Sequence, residues 1–235
     1  MSRARVKCHV FVDFDGTIAP CDATDMLFEQ FADPSWRDVE EEWQAGQIGS
    51  RECMTRQVSL LRATPQELVA AASRVGVDRG FSTFVRECAR NGFGMTVVSD
   101  GFDIVIDTVL RSAGLSVPFH ANHLEPVGSD RWRVTFPSAR SDCRALAGNC
   151  KCSFTEPHFS SVKVVVGDGR SDFCIAGRAD LVFAKGKLLE LCRGNGTTHV
   201  PFGDFFEVTA KLGAWLNNDK RVVATVAPAA RQASR

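Results

Sequence analysis

The chain has 235 residues, 44% of them hydrophobic, and its 28 Lys plus Arg balance 28 Asp plus Glu. Balanced charge gives no long-range pull toward nucleic acid or an anionic membrane, so neither is expected as a partner. The apolar runs are strand-length, too short to span a bilayer, and nine cysteines in a chain this long favour reduced thiols over a disulfide framework.

The opening "MSRARVKCHVFV" is basic and then apolar, but the run breaks at Asp13 and lacks a small-residue cleavage site. A soluble, cytoplasmic protein is therefore expected. "HVFVDFDG" is apolar throughout rather than alternating, the pattern of a strand buried on both faces. It ends in Asp13 and Asp15, one residue apart. Such a pair repels itself unless a cation, a shared proton or solvent intervenes.

Helical patterns follow. "ATDMLFEQFADPSWRDVEEEWQAGQI" sets Met26, Phe28, Phe31, Val39 and Trp43 as apolar points among charges. In "TPQELVAAASRV", Thr64 reads as an N-cap, Pro65 as the first helical residue and Glu67 as the partner of a capping box. "FSTFVRECARNG" places Phe81, Phe84, Val85 and Cys88 on one stripe and stops at Asn91-Gly92. Next come a second apolar run, "GMTVVSDG", and a helix, "DIVIDTVLRSAG", ending at Gly114. "HANHLEPVGSDRWRVTF" reads as two short strands around the turn Gly128-Ser129-Asp130. "VKVVVGDG" and the weaker "ADLVFAKG" are further strands, "FFEVTAKLGAWL" is a closing helix, and residues 226–235 are expected to be disordered.

Strands alternating with helices imply a parallel sheet, and ligands gather beyond the carboxyl ends of such strands. The polar strand ends carry Asp13, Asp15, Ser99, Asp168 and Asp172, and "AGNCKC" offers a cation in Lys151. Taken singly, each has a bland reading. A DxD pair can be a solvated turn or the metal site of a nucleotide-sugar transferase, and "GDGRSD" can be a turn before a helix N-cap. In this order, however, DxDGT, hydrophobic-hydrophobic-Ser, Lys and GDGxSD together resemble the four motifs of the haloacid dehalogenase superfamily, largely Mg2+-dependent phosphohydrolases that pass through an aspartyl-phosphate.

That resemblance implies a Rossmann-like, doubly wound α/β core at 1–20 and 91–235. A helical cap at 21–90 would be inserted after the first strand, together with a small β-hairpin insert. It implies Asp13 as nucleophile and metal ligand, and Asp15 as a carbonyl ligand and general acid-base. Ser99, Asp100 and Gly101 would bind phosphate, Lys151 would neutralise charge, and Asp168 would be a further metal ligand. Asp172 would orient metal-bound water, and Gly16 and Thr17 would shape the turn. Physics agrees with the need for a cation. Each like-charge pair about 4 Å apart costs roughly 4 kcal/mol at an effective dielectric of ~20, more than Lys151 alone offsets, and Mg2+ suits an all-oxygen donor set.

The helices between the first two motifs resemble the cap of the phosphoserine phosphatase group. DFDGT, Asp22, "VTFPSA" and the Cys-flanked lysine are most similar to the methionine-salvage group acting on 2-hydroxy-3-keto-5-methylthiopentenyl-1-phosphate. Gln57 stands where a carboxylate-binding Arg would fall for phosphoserine, with Arg56 and Arg51 as substitutes. Asp22, Asp25 and Asp100 could favour the cationic head of phosphocholine or phosphoethanolamine. The expected partner is a small phosphorylated metabolite, and the expected state a monomer or homodimer. Other classes in play are a DxD transferase and an inactive phospho-ligand binder. Finally, Cys143, Cys150 and Cys152 could hold zinc with His120, His123 or His158, but C-x6-C-x-C is not a ribbon or finger spacing, and a reduced, metal-free cluster is expected.

Overall fold

The computed structural model describes residues 7–158 and 161–216. The expected disordered tail lies outside them. Among the described residues the strands form one sheet in the order β4-β3-β2-β1-β5-β6-β7, and only β4 runs antiparallel. The strands are β1 (Cys8–Val12), β2 (Gly94–Phe102), β3 (Phe119–Pro126), β4 (Trp132–Thr135), β5 (Val162–Gly167), β6 (Leu181–Ala184) and β7 (His199–Pro201). β1 is central, with β2 on one side and β5 on the other, so the strand order reverses at its carboxyl end. That is the crevice where open α/β sheets bind ligands.

The apolar runs form strands because both faces are covered. Val10 and Val12 face one layer, with Val97, Val164 and Phe183, and Phe11 faces the other, with Val98, Val165 and Val182. The hairpin expected around residues 128–130 forms, yet it is part of the main sheet: β3 extends the parallel order beside β2, and β4 closes that edge. β7 carried no separate signal, being only three residues long. No helix among the described residues is long and apolar enough to cross a membrane.

The helices are α1 (Ala23–Phe31), α2 (Trp36–Gln44), α3 (Ser50–Leu60), α4 (Pro65–Ala72), α5 (Phe81–Asn91), α6 (Asp103–Ser112), α7 (Phe173–Ala176), α8 (Gly186–Asn195) and α9 (Phe205–Leu216). The capping box of α4 is present, with Thr64 and Glu67 satisfying each other's first-turn amides. Gly92 ends α5 in the left-handed conformation. Within the span 21–90 expected to form the cap, the helices pack in two ways. α5 packs on the closing helix, with the Phe81 and Phe84 rings 4.9 and 5.3 Å from Phe205, and α4 packs on α6. Both therefore belong to the layer covering the sheet. The segment standing over the strand ends is the α2–α3 pair with the start of α1.

Candidate active site

The β1–β5 ladder continues one residue past β1, because the Asp13 amide donates to the Val166 carbonyl at 2.9 Å. This sets Asp13 beside the loop after β5. Its Oδ1 accepts from the Phe14 amide and from Lys151 Nζ, each at 2.7 Å. The chain then turns sharply at Gly16, where φ is +67° and a Cβ would lie 2.5 Å from Asp168 Oδ2. Only glycine meets both the conformation and the space. Thr17 donates its hydroxyl to Asp168 Oδ1 at 3.0 Å, fixing that carboxylate against the turn.

Lys151 arrives from a short 3-10 segment, Lys151–His158, and is 1% exposed. Its ammonium donates to Asp13, to Asp172 Oδ1 at 2.8 Å and to Ser171 Oγ at 2.9 Å. Burial alone would strip its proton, but Asp13, Asp172 and Asp100 outweigh burial and hold its pKa above the usual lysine range. Burial and then Asp172 push the Asp13 carboxyl well above the ordinary value, against the opposing pull of Lys151. Burial and Asp172 raise Asp168 in the same way. One ammonium does not satisfy three crowded carboxylates.

Carboxylate oxygens of Asp13, Asp168 and Asp172 lie within 4.8 Å of one another. These are hard donors, fitting a divalent cation such as Mg2+ or Ca2+. Among the described residues, the hydrogen bonds of Asp13 and Asp168 run through Oδ1, which leaves both Oδ2 atoms for a cation. Asp172 is differently placed. Its Oδ1 is taken by Lys151, and its Oδ2 accepts from the amides of Asp168 (3.2 Å) and Gly169 (3.3 Å).

Asp15 Oδ1 accepts from the Ala23 amide at 2.8 Å, where α1 begins. Burial and Asp22 push its carboxyl well up, the Ala23 bond opposing them, so the protonated form is favoured at this position. Its Oδ2 faces Gly101, where a Cβ would sit 2.8 Å away. Buried Ser99 accepts from the Gly101 amide at 2.9 Å. These groups floor a cleft of about 390 Å³, whose upper wall includes Asp22, Asp25, Glu40, Trp43 and Met54.

The sequence matches the family described as haloacid dehalogenase-like hydrolase over residues 10–177. The chain belongs to that family. It is 34% identical to a 2-hydroxy-3-keto-5-methylthiopentenyl-1-phosphate phosphatase of an Exiguobacterium species, over 88% of this chain and 98% of that protein. A Geobacillus kaustophilus protein of the same name is 32% identical over 86% and 94%. In fold it is similar to a phosphoserine phosphatase solved as a phospho-aspartyl intermediate analogue, with a TM-score of 0.67, 21% identity and 87% and 98% coverage. A substrate-bound phosphoserine phosphatase complex also scores 0.67, at 18% identity over 88% and 99%.

This phosphatase brings the motif residues together. Asp172, expected to orient metal-bound water, accepts from Lys151 on one oxygen and from the amides of Asp168 and Gly169 on the other. The Gly101 amide, expected on phosphate, donates to Ser99 Oγ, and the Asp100 carboxylate accepts from the Asn149 amide at 2.9 Å. Arg56, expected as a substrate-selecting candidate, sets its two terminal guanidinium nitrogens on Glu42 at 2.5 and 2.8 Å and does not line the cleft. Arg51 does not line it either, while Gln57 does.

Three contributors went unread in the sequence. Asn149 spends its side-chain amide on the carbonyls of Ser99 (2.7 Å) and His120 (2.8 Å), tying the lysine loop to the end of β2. Its position two residues before Lys151 was the available clue. Ser171 lies inside "GDGRSD" yet drew no role, and it meets the lysine ammonium. Arg170 reaches the Gln44 carbonyl at 3.0 Å and lies 5.5 Å from the Trp43 ring, linking the β5 loop to α2. Nothing in local pattern marks such a long-range contact.

Proposed function

We propose that this phosphatase hydrolyses a small phosphomonoester by transferring the phosphoryl group to Asp13. The observation that carries the reading is Lys151: a buried ammonium bridging Asp13 and Asp172 at the switch point of the sheet, with Asp168 alongside. In this reading an Asp13 oxygen attacks phosphorus in line, and Lys151 offsets charge on the nucleophile and on the transferred group. Ser99 donates its hydroxyl to a phosphoryl oxygen. Asp15 gives its proton to the leaving alkoxide, then takes one from the water that cleaves the acyl phosphate. Mg2+ held by Asp13, Asp168 and the Asp15 carbonyl would supply charge neutralisation of the equatorial oxygens. A nucleotide-donor transferase needs neither Ser99 nor Lys151, yet Ser99 lines the cleft and Lys151 touches Asp13.

For the substrate we take 2-hydroxy-3-keto-5-methylthiopentenyl-1-phosphate. Relatives bearing that name align over most of the chain, and Trp43, Cys53 and Met54 give the cleft an apolar wall suited to a methylthio tail. A second reading has its own support. Asp22, Asp25 and Glu40 line the upper cleft, which favours an amine-bearing ester such as phosphocholine or phosphoethanolamine. Phosphoserine fits less well, because Arg56 is held by Glu42. A cytoplasmic location and a monomeric or homodimeric state accompany a small-metabolite substrate.

The test is phosphate release from these four esters by the purified protein with Mg2+, using Asp13→Asn as control. The salvage ester should be turned over with the highest kcat/KM, and preference for a choline or ethanolamine ester would select the second reading. Release undiminished in Asp13→Asn would sink the mechanism.

A further inference from the structure

The connection between β4 and β5 delivers Lys151 and Asn149 to the site, with little regular structure of its own among the described residues. Among the described residues its helical stretch is Lys151–His158, and its own apolar cluster is only Cys143, Ala147 and Cys150, with Cys152 packed against them. Loops of this length with so little regular structure are uncommon and usually carry function.

Four thiols converge there. Cys150 and Cys152 flank Lys151 with their sulfurs 3.6 Å apart. Cys143 joins Cys150 from the preceding turn. The fourth member is one the sequence reading did not assign: α7 packs on the 3-10 segment and sets Cys174 against Cys152, within electrostatic range of Cys143 and Cys150. The histidines considered as ligands pack against other partners. His120 stacks on Phe154 at 4.2 Å, His123 pairs with Asp103 at 2.5 Å, and His158 stacks on His9 at 3.9 Å.

We propose that Cys143, Cys150, Cys152 and Cys174 form a closed tetrathiolate site for Zn2+, separate from the carboxylate site, that fixes the loop carrying Lys151. Four thiolates complete the tetrahedron of a structural zinc with no position left open. Zn–S bonds of about 2.3 Å place neighbouring sulfurs roughly 3.8 Å apart, close to the Cys150–Cys152 separation. No three of the four sulfurs lie mutually within 4.8 Å, so loading requires Cys143 and Cys174 to rotate inward. On binding, each thiol forms one S–Zn bond and releases its proton to solvent, leaving the centre with a net charge of about −2. Cations to balance it are at hand. Arg178 donates to the Cys152 carbonyl at 3.1 Å, and Arg140 and Arg178 both act electrostatically on Cys150.

One further observation sets the cluster apart from plain core packing. Cys174 is exposed, unlike a cysteine used as core filling.

The test reads metal, not catalysis, so its failure is distinguishable from failure of the phosphatase reading. Full-length protein from zinc-supplemented cells is dialysed and its zinc measured, and the apoprotein is then titrated with Co2+. About one zinc per chain is expected, with thiolate-to-cobalt charge-transfer bands in the near ultraviolet. Cys174→Ser and Cys152→Ser should each lose zinc by at least roughly tenfold. Cys21→Ser, which removes a thiol outside the cluster, should keep it. Asp13→Asn should keep the cobalt spectrum, because its carboxylate belongs to the other site. Folding of each variant is checked by far-ultraviolet circular dichroism, and loss of zinc from either folded variant supports the site. Zinc-free protein that also gives no thiolate bands with Co2+ overturns the proposal, as does a disulfide among the four cysteines in freshly purified enzyme.

Discussion

Lys151 is 1% exposed and bonded to two carboxylates that are themselves buried, so its contribution is unlike that of a surface ion pair. Removing it leaves Asp13 and Asp172 uncompensated. Lys151→Met should lower kcat by about a thousandfold or more and destabilise the metal-free protein by roughly 3–5 kcal/mol. Adding Asp172→Asn should return part of the stability and none of the activity. Urea unfolding in the presence of a chelator measures the first effect, and additive losses in the double variant would refute the coupling. Asp15 invites a different experiment. Its carboxyl is pushed up by burial and Asp22, which suits the proton donation to the leaving group proposed for it. Asp15→Asn should slow a poor leaving group, such as an alkyl phosphate, by about 100-fold or more, and p-nitrophenyl phosphate far less. Equal losses on both substrates would remove Asp15 as the acid. Asp13, Asp15 and Asp168 stood out in sequence because carboxylates at apolar strand ends need a stated reason to be there, and Lys151 because they lacked a cation. Asn149 was not, since its two carbonyl partners come from β2 and β3 and no local spacing encodes them.

At the scale of elements, strand and helix positions followed from periodicity, while their allegiance did not. The stripe of α5 correctly identified Phe81, Phe84 and Cys88 as buried, yet a stripe does not say which surface it meets. It meets Phe205 of α9, more than a hundred residues later, which moves α5 from the cap to the layer on the sheet. The hairpin was legible from its turn, but its place beside β2 was not, because register across a parallel pair leaves no mark in either strand alone. The same limitation hid the Arg170 link between the β5 loop and α2. Arg170 donates to the Gln44 carbonyl near the end of that helix, where cations are favoured, and lies over Trp43. Since Arg170 and Trp43 both line the cleft, the link would hold α2 beside a bound substrate. Arg170→Ala should raise KM for a small phosphomonoester roughly fivefold, with a smaller fall in kcat. Steady-state kinetics decides it, and an unchanged KM would show that α2 keeps its place without the contact.

For the molecule as a whole, net neutrality conceals an uneven distribution. Acidic groups are concentrated around one cleft, where Asp13, Asp15, Asp22, Asp25, Glu40, Asp100 and Asp168 all appear in its lining. Asp25 gives the clearest handle, because burial, Asp22, Glu40 and Glu29 raise its carboxyl to about 7. A carboxyl raised on folding binds its proton more tightly in the native state than in the unfolded chain. Its contribution is therefore fully present below the unfolded value of 3.8 and is lost as pH climbs through the folded value near 7. Metal-free protein should thus lose stability from this group between about pH 4 and pH 7, the reverse of a salt-bridged aspartate. Other groups titrate in the same interval, His9 among them, since burial lowers it to about 4 and gives it the opposite slope. The difference between wild type and Asp25→Asn isolates the one carboxyl. Asn cannot ionise, so the variant should gain Tm relative to wild type as pH rises, by about 2–4 °C for each kcal/mol relieved, and the gain should level off above about pH 8. Thermal unfolding with a chelator present, followed across that range, gives the difference curve. A flat difference would mean that solvent in the open cleft already relieves the repulsion, and that Asp25 is no more burdened than a surface carboxylate.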